Sequence, residues 1–206
     1  MSNKIKRLLF IVIILACAIM AACESEEAAK IRDISYRIVE KNDISFGGTY
    51  RFSLDVVIDD KVSLADMETL SKEIIKNAKK EDNFNAISIN FYDYEEYVGK
   101  GYTLGKVEYA PEGEWSKANT VRAGDYKNMD YSFDLREKNW EKQLNRSEVE
   151  VYKAWKELYT DKDKGSFLPD EDEITKEIAE EFNITAEEVK GIMLKQIEWT
   201  FNDKNN

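Results

Sequence analysis

From Ile34 the chain alternates apolar and polar positions. Ile34, Tyr36 and Ile38 are followed, after Phe46-Gly47-Gly48-Thr49, by Tyr50, Phe52, Leu54, Val56 and Ile58 set against Arg51, Ser53, Asp55 and Val57. A period of two sends successive side chains to opposite faces, so this stretch predicts a hairpin with one wet face. The period then changes. Asp59-Asp60-Lys61 breaks the strand, Ser63 with Asp66 has the form of a capping box, and Leu64, Met67, Leu70, Ile74, Ile75 and Ala78 share one face of a helix running to about Lys80. Ile87, Ile89 and Phe91 alternate again, and a further strand is expected from about Tyr102 to Tyr109, ending at Pro111. The order strand, strand, helix, strand, strand predicts an α+β unit over residues 34–135, built as a mostly antiparallel sheet with one packed helix. Trp115 to Leu135 has no clean period and reads as loop with a short helix or an edge strand.

Residues 136–206 read as a helical part packed on that unit. Ser147 with Glu150 forms a second capping box ahead of Val149, Tyr152, Trp155 and Tyr159; Ile174, Ile178 and Phe182 mark another helix. Thr185 with Glu188 caps a last one that turns Val189, Ile192, Met193 and Ile197 inward. Trp140, Trp155 and Trp199 are expected to form the apolar seam between the two parts.

The N-terminus follows a different rule. Lys4, Lys6 and Arg7 precede an uncharged apolar run from Leu8 to Ala22, which is short for a membrane span and has the layout of a signal sequence. The run ends in Met20-Ala21-Ala22-Cys23, which resembles the lipobox of bacterial lipoproteins; Ile14-Leu15-Ala16-Cys17 is a poorer second match because Leu15 is bulky. The resemblance implies cleavage before Cys23, diacylglycerol on its thiol, a signal peptide over 1–22 and a tether over 23–33. It also implies a cell-membrane location on the extracytoplasmic face, the partner being the membrane itself through the lipid. With Glu24 rather than Asp after the cysteine, an outer-membrane location is expected in a two-membrane cell.

Composition narrows the chemistry. The chain has 206 residues and no histidine, which removes His-based triads and His metal ligands, and its two cysteines, Cys17 and Cys23, both lie near the N-terminus. No cofactor and no metal is expected. The net charge of −11 would become −14 with the loss of Lys4, Lys6 and Arg7, which disfavours nucleic acid and favours cationic or hydroxyl-rich partners.

Three motifs fail on their own chemistry. Ala179, Asn183 and Val189 have helix-turn-helix spacing, but Ala186-Glu187-Glu188 would set carboxylates against phosphate. Gly99-Lys100-Gly101-Tyr102-Thr103-Leu104-Gly105-Lys106-Val107 lacks the first glycine and the hydroxyl of a phosphate loop. The loop 161–172 puts Gly165 at the fifth place where a calcium loop needs it at the sixth.

What remains is an aromatic concentration in which Tyr92, Tyr94, Tyr97 and Trp115 are the candidate binding residues, because an acidic loop cannot bury Tyr94 and Tyr97 together with their neighbours. The segment Tyr102 to Trp115, with Gly105, Pro111, Gly113 and Trp115 at its fixed points, resembles a family of small exported bacterial domains of unassigned function over about residues 34 to 116. That resemblance implies a fold and a compartment and brings no catalytic residues. The function expected is a membrane-anchored binding or interaction module with a protein or cell-wall ligand. The alternative is a carboxylate-dependent cell-wall glycan hydrolase using Glu95 or Glu96 with Glu108.

Overall fold

The computed structural model describes residues 33–163 and 168–201. Cys23, the signal-like run and most of the tether, with Gly165 of the would-be calcium loop, lie outside the described residues. Five strands, β1 (Tyr36–Asp43), β2 (Arg51–Ile58), β3 (Ala86–Tyr92), β4 (Gly105–Pro111) and β5 (Met129–Leu135), form one sheet in chain order. The helix α1 (Leu64–Glu81) lies between β2 and β3 in sequence, and α2 (Arg146–Lys162), α3 (Glu171–Phe182) and α4 (Ala186–Phe201) follow the sheet.

The α+β class and the mostly antiparallel sheet stand, and the structure adds two details. One pairing is parallel, that of β2 with β3, Arg51 opposite Ala86 and Val57 opposite Tyr92, whereas the other three pairings are antiparallel. A long helical crossover into the adjacent strand carries the chain back to the end where β2 began, and only a parallel pairing accommodates that. The second detail is a fifth strand, in the stretch read as loop with a short helix or an edge strand. Met129–Leu135 pairs along all of β4, and the pairing requires Gly105: at φ +141°, a Cβ there would lie 2.6 Å from the Asp134 carbonyl oxygen and 2.7 Å from the Leu135 Cα. The irregular stretch before it holds the short 3₁₀ turn Trp115–Thr120.

Local chemistry explains the boundaries. Gly47 and Gly48, at φ +60° and +79°, close the β1–β2 hairpin with both residues in the left-handed region, as a type I′ turn requires. The Ser63–Asp66 capping box opens α1, and its face of Met67, Leu70, Ile74 and Ile75 is buried. The cap of α2 is corrected to Asn145, whose side chain accepts from the Glu148 amide while Glu148 reaches back to the Asn145 amide; Ser147 only donates to Asn145. Both residues satisfy the sequence rule, and the earlier one adds half a turn. Thr185 and Glu188 cap α4 as expected.

The main core lies between α1 and one face of the sheet, with Leu54, Val56, Ile87, Ile89, Phe91 and Val107 all buried. Leu144, Val149 and Trp199 of the C-terminal part join this core, and Trp140 packs on Trp199 with ring centroids 5.4 Å apart. Trp155 does not. It belongs to a second cluster with Ile174, Ile178 and Val189 among α2, α3 and α4. In α4, Ile197 is corrected from an inward to an exposed position, and Trp199 turns inward in its place.

Candidate functional site

The other face of the sheet carries the polar half of each alternating strand. The register sets them in two rows that run across the sheet. One contains Asn42, Ser53, Ser88, Glu108 and Ser132; the next contains Glu40, Asp55, Asn90, Lys106 and Asp134. Below them, Ala86 and Ala110 are small enough for the 3₁₀ turn 115–120 to lie on the sheet, with Ala118 buried against both. This positions Trp115, whose ring centroid lies 6.0 Å from the Arg51 guanidinium carbon and 5.9 Å from Lys106 Nζ. The indole therefore sits between a cation of β2 and a cation of β4.

The middle of this face is a hydrogen-bonded network. Asn90 donates its amide to Asp55 Oδ1 at 2.9 Å and to Ser53 Oγ at 3.2 Å, Ser88 donates to Ser53 at 3.2 Å, and the Tyr92 hydroxyl reaches Asp55 Oδ1 at 3.3 Å. Lys106 and Glu108 pair at 2.5 Å beside it. Asp55 and Ser88 are buried, whereas Ser53, Asn90, Lys106 and Glu108 are partly open. Burial, followed by the charge of Asp55, pushes the Tyr92 phenol up to about 12, so it remains a neutral donor. Among the described residues nothing donates to Asp55 Oδ2 or to the Asn90 carbonyl oxygen, and the buried Nε of Arg51 has no acceptor. The face thus combines partly open acceptors at Asn90 and Glu108 with the half-buried indole of Trp115, while the Arg51 Nε is enclosed. No group of three Asp, Glu or Cys side chains converges to hold a metal ion among the described residues.

The four candidate aromatics do not form one exposed patch. Trp115 and Tyr92 belong to the polar face, but Tyr92 is buried at the end of β3. Tyr94 and Tyr97 face the C-terminal part. Tyr94 is half-buried, donates to the Leu144 carbonyl at 2.7 Å and carries Arg146 4.4 Å from its ring centroid. Tyr97 is only 2% exposed, packs on Tyr152 with centroids 5.6 Å apart and donates to Gln196 Oε1 at 2.9 Å. The expectation that the acidic loop could not bury these rings is thus corrected. The loop is short of apolar cover only in its own sequence; α2 and α4 supply it from residues far along the chain. Burial, and then the nearby Asp93, raises the phenols of both Tyr94 and Tyr97 above the ordinary range.

Of the carboxylates of the alternative reading, Glu95 and Glu96 share the 3₁₀ turn Glu95–Tyr97 and Glu108 stands on β4. Glu95 pairs with Arg37 of β1 at 2.9 Å, Glu96 with Arg146 of α2 at 3.1 Å, and Glu108 with Lys106 on β4. The carboxylate that sequence reasoning missed is Asp55. Its signal was present: polar residues at every second place in β2, β3 and β4 match in register only when those strands are neighbours.

A family model described as a domain of unknown function (DUF4875) matches residues 32–191. No curated protein matches the chain. A crystal structure of a DUF487 family protein from Desulfovibrio piger is similar at 16% identity, covering 75% of this chain and 88% of that one, with a TM-score of 0.43.

Proposed function

The chain belongs to the DUF4875 family of domains of unknown function, and from that premise we propose that it is a membrane-anchored extracytoplasmic binding module whose ligand surface is the polar face of the sheet. The observation that carries the reading is the alignment of Asp55, Asn90, Lys106 and Glu108 on one face of the sheet, with the Trp115 ring 5.9 Å from Lys106 Nζ. A hydroxyl-rich ligand such as a cell-wall glycan fragment suits both parts. Its hydroxyls meet carboxylate and amide oxygens, and its apolar ring face meets the indole. Anchoring rests on Met20-Ala21-Ala22-Cys23, with the lipid on Cys23 holding the domain to the membrane. Nucleic acid does not fit a chain of this charge.

The test of binding is titration of residues 24–206 with soluble peptidoglycan fragments, followed by Trp fluorescence. Saturable binding that Trp115→Ala abolishes and Asp55→Asn weakens is the expected result; binding unchanged by both substitutions defeats the assignment to this face. Anchoring is tested with Cys23→Ser, which should move the protein out of the membrane fraction. Unchanged partition with normal processing would remove that part of the proposal.

A further inference from the structure

A cleft of about 650 Å³ opens between the 97–103 loop and the helices α2, α3 and α4, away from the polar rows of the sheet. Its size falls within the range of small-molecule sites. Tyr97, Tyr152, Trp155, Met193, Ile197 and Phe201 line it. Several polar groups at the cleft are bonded to one another. The Trp155 indole donates to Thr175 at 3.1 Å; Gln196 accepts from Tyr97 and donates to Thr200 at 3.0 Å. These bonds fix the named polar groups within the protein, and the larger share of the surface that the cleft exposes is apolar.

The rim has two further properties. Leu194, Ile197 and Phe201 are 58%, 53% and 70% exposed and, three and seven positions apart on α4, share one stripe at the cleft. Apolar side chains gathered at a concave site rather than scattered singly mark a binding surface. Three lysines also stand at the cleft in a protein of net charge −11: Lys100, Lys156 and Lys190. Lys190 is tied to Asp172 at 2.8 Å, and Glu171 adds an acid on the same α3 side. Among the described residues, no carboxylate lies within ion-pair distance of Lys100 or Lys156. The positive charge is therefore concentrated on the side formed by the loop and α2.

We infer that this cleft binds an amphiphile with one apolar chain and one anionic head, of the class of a fatty carboxylate. The chain lies on the Tyr152 and Trp155 floor and along the α4 stripe, and the head faces Lys100 and Lys156. A mostly apolar lining disfavours a glycan and the two lysines disfavour a cationic head, so the site differs from the polar face in chemistry and in the residues that form it.

Residues from Ile34 onward form a compact unit with their own core, so the test uses the chain from residue 24, free of the apolar N-terminal run. The probe is dodecanoate, with dodecyltrimethylammonium as the same chain bearing the opposite head, measured by calorimetry below the micelle-forming concentration. Dodecanoate should bind saturably with one site per chain. Lys100→Glu with Lys156→Glu should weaken it roughly tenfold or more, and Ile197→Asp should abolish it, with thermal midpoints unchanged because these positions lie on the surface. Absence of saturable dodecanoate binding overturns the inference. Equal binding of the cationic amphiphile, or indifference to either variant, overturns it as well.

Discussion

The two faces of the one sheet come from the same alternating strands and meet opposite fates. On one face Leu54, Ile89, Phe91 and Val107 lie beneath α1 and exclude water completely. On the other, Asp55, Asn90, Lys106 and Glu108 form rows with a 3₁₀ turn at one end and Trp115 beside Lys106. The apolar face is stabilised by area removed from water and is indifferent to which partner supplies the cover. The polar face holds buried groups that need specific partners, as Asp55 needs the Asn90 amide and the Tyr92 hydroxyl. Asp93 sharpens the contrast. It continues the apolar parity one step past β3, yet is a carboxylate, and it is 4% exposed with Thr103 at 2.6 Å and Gln143 at 2.9 Å as its donors.

The largest effect belongs to the apolar face. Phe91→Ala, at a fully buried ring, should cost about 3–5 kcal/mol in denaturant unfolding, and a cost under about 1 kcal/mol would mean that α1 does not close over β3 as described. Asp55→Ala should cost about 1–3 kcal/mol, because the Asn90 amide and the Tyr92 hydroxyl lose an acceptor in a buried place. A neutral result would show that this network is solvated rather than enclosed.

The next effect is read as a slope with pH. Burial raises the Asp93 carboxyl above its ordinary range, against the opposing hydrogen bonds from Thr103 and Gln143. The native state therefore holds this proton more tightly than the unfolded chain does. Its contribution is fully present below the unfolded value of about 3.9 and is lost as pH rises through the raised native value. Comparing wild type with Asp93→Asn across this range should show the wild type losing stability relative to the variant as pH increases. A difference independent of pH would contradict the burial of this group. Smallest of all is Ser132→Ala, at the exposed end of a polar row, which should stay within about 0.5 kcal/mol and leave folding unaltered.

Much of the frame was legible because it depends on neighbours in sequence. The period-two runs gave β1 to β4; the glycine pair gave the hairpin turn; Ser63 with Asp66 and Thr185 with Glu188 marked helix starts, since a cap needs only residues three apart. β5 was only an option within an irregular stretch. Met129 to Leu135 mixes Asp130, Ser132 and Asp134 with Tyr131 and Phe133, and it becomes a strand where Gly105 lets β4 approach closely enough to pair with it. The site divided in the same way. Trp115 and Tyr92 were identified as unusual aromatics, but their surroundings were not.

Three matters belonged to tertiary structure alone. The direction of β3 follows from where α1 delivers the chain, and alternation reads the same in either direction. The burial of Tyr97 depends on Gln196 and Tyr152, which lie far along the chain. The assembly of Asp55, Asn90, Lys106 and Glu108 into one face requires the register of three strands at once. Sequence by itself determined which positions must leave water and which local turns and caps the backbone could form, because those are short-range balances of solvation and dihedral freedom. Which buried surface met which, and hence which polar groups kept an unfilled hydrogen bond, was decided only when distant segments packed, since a contact exists only between partners brought together.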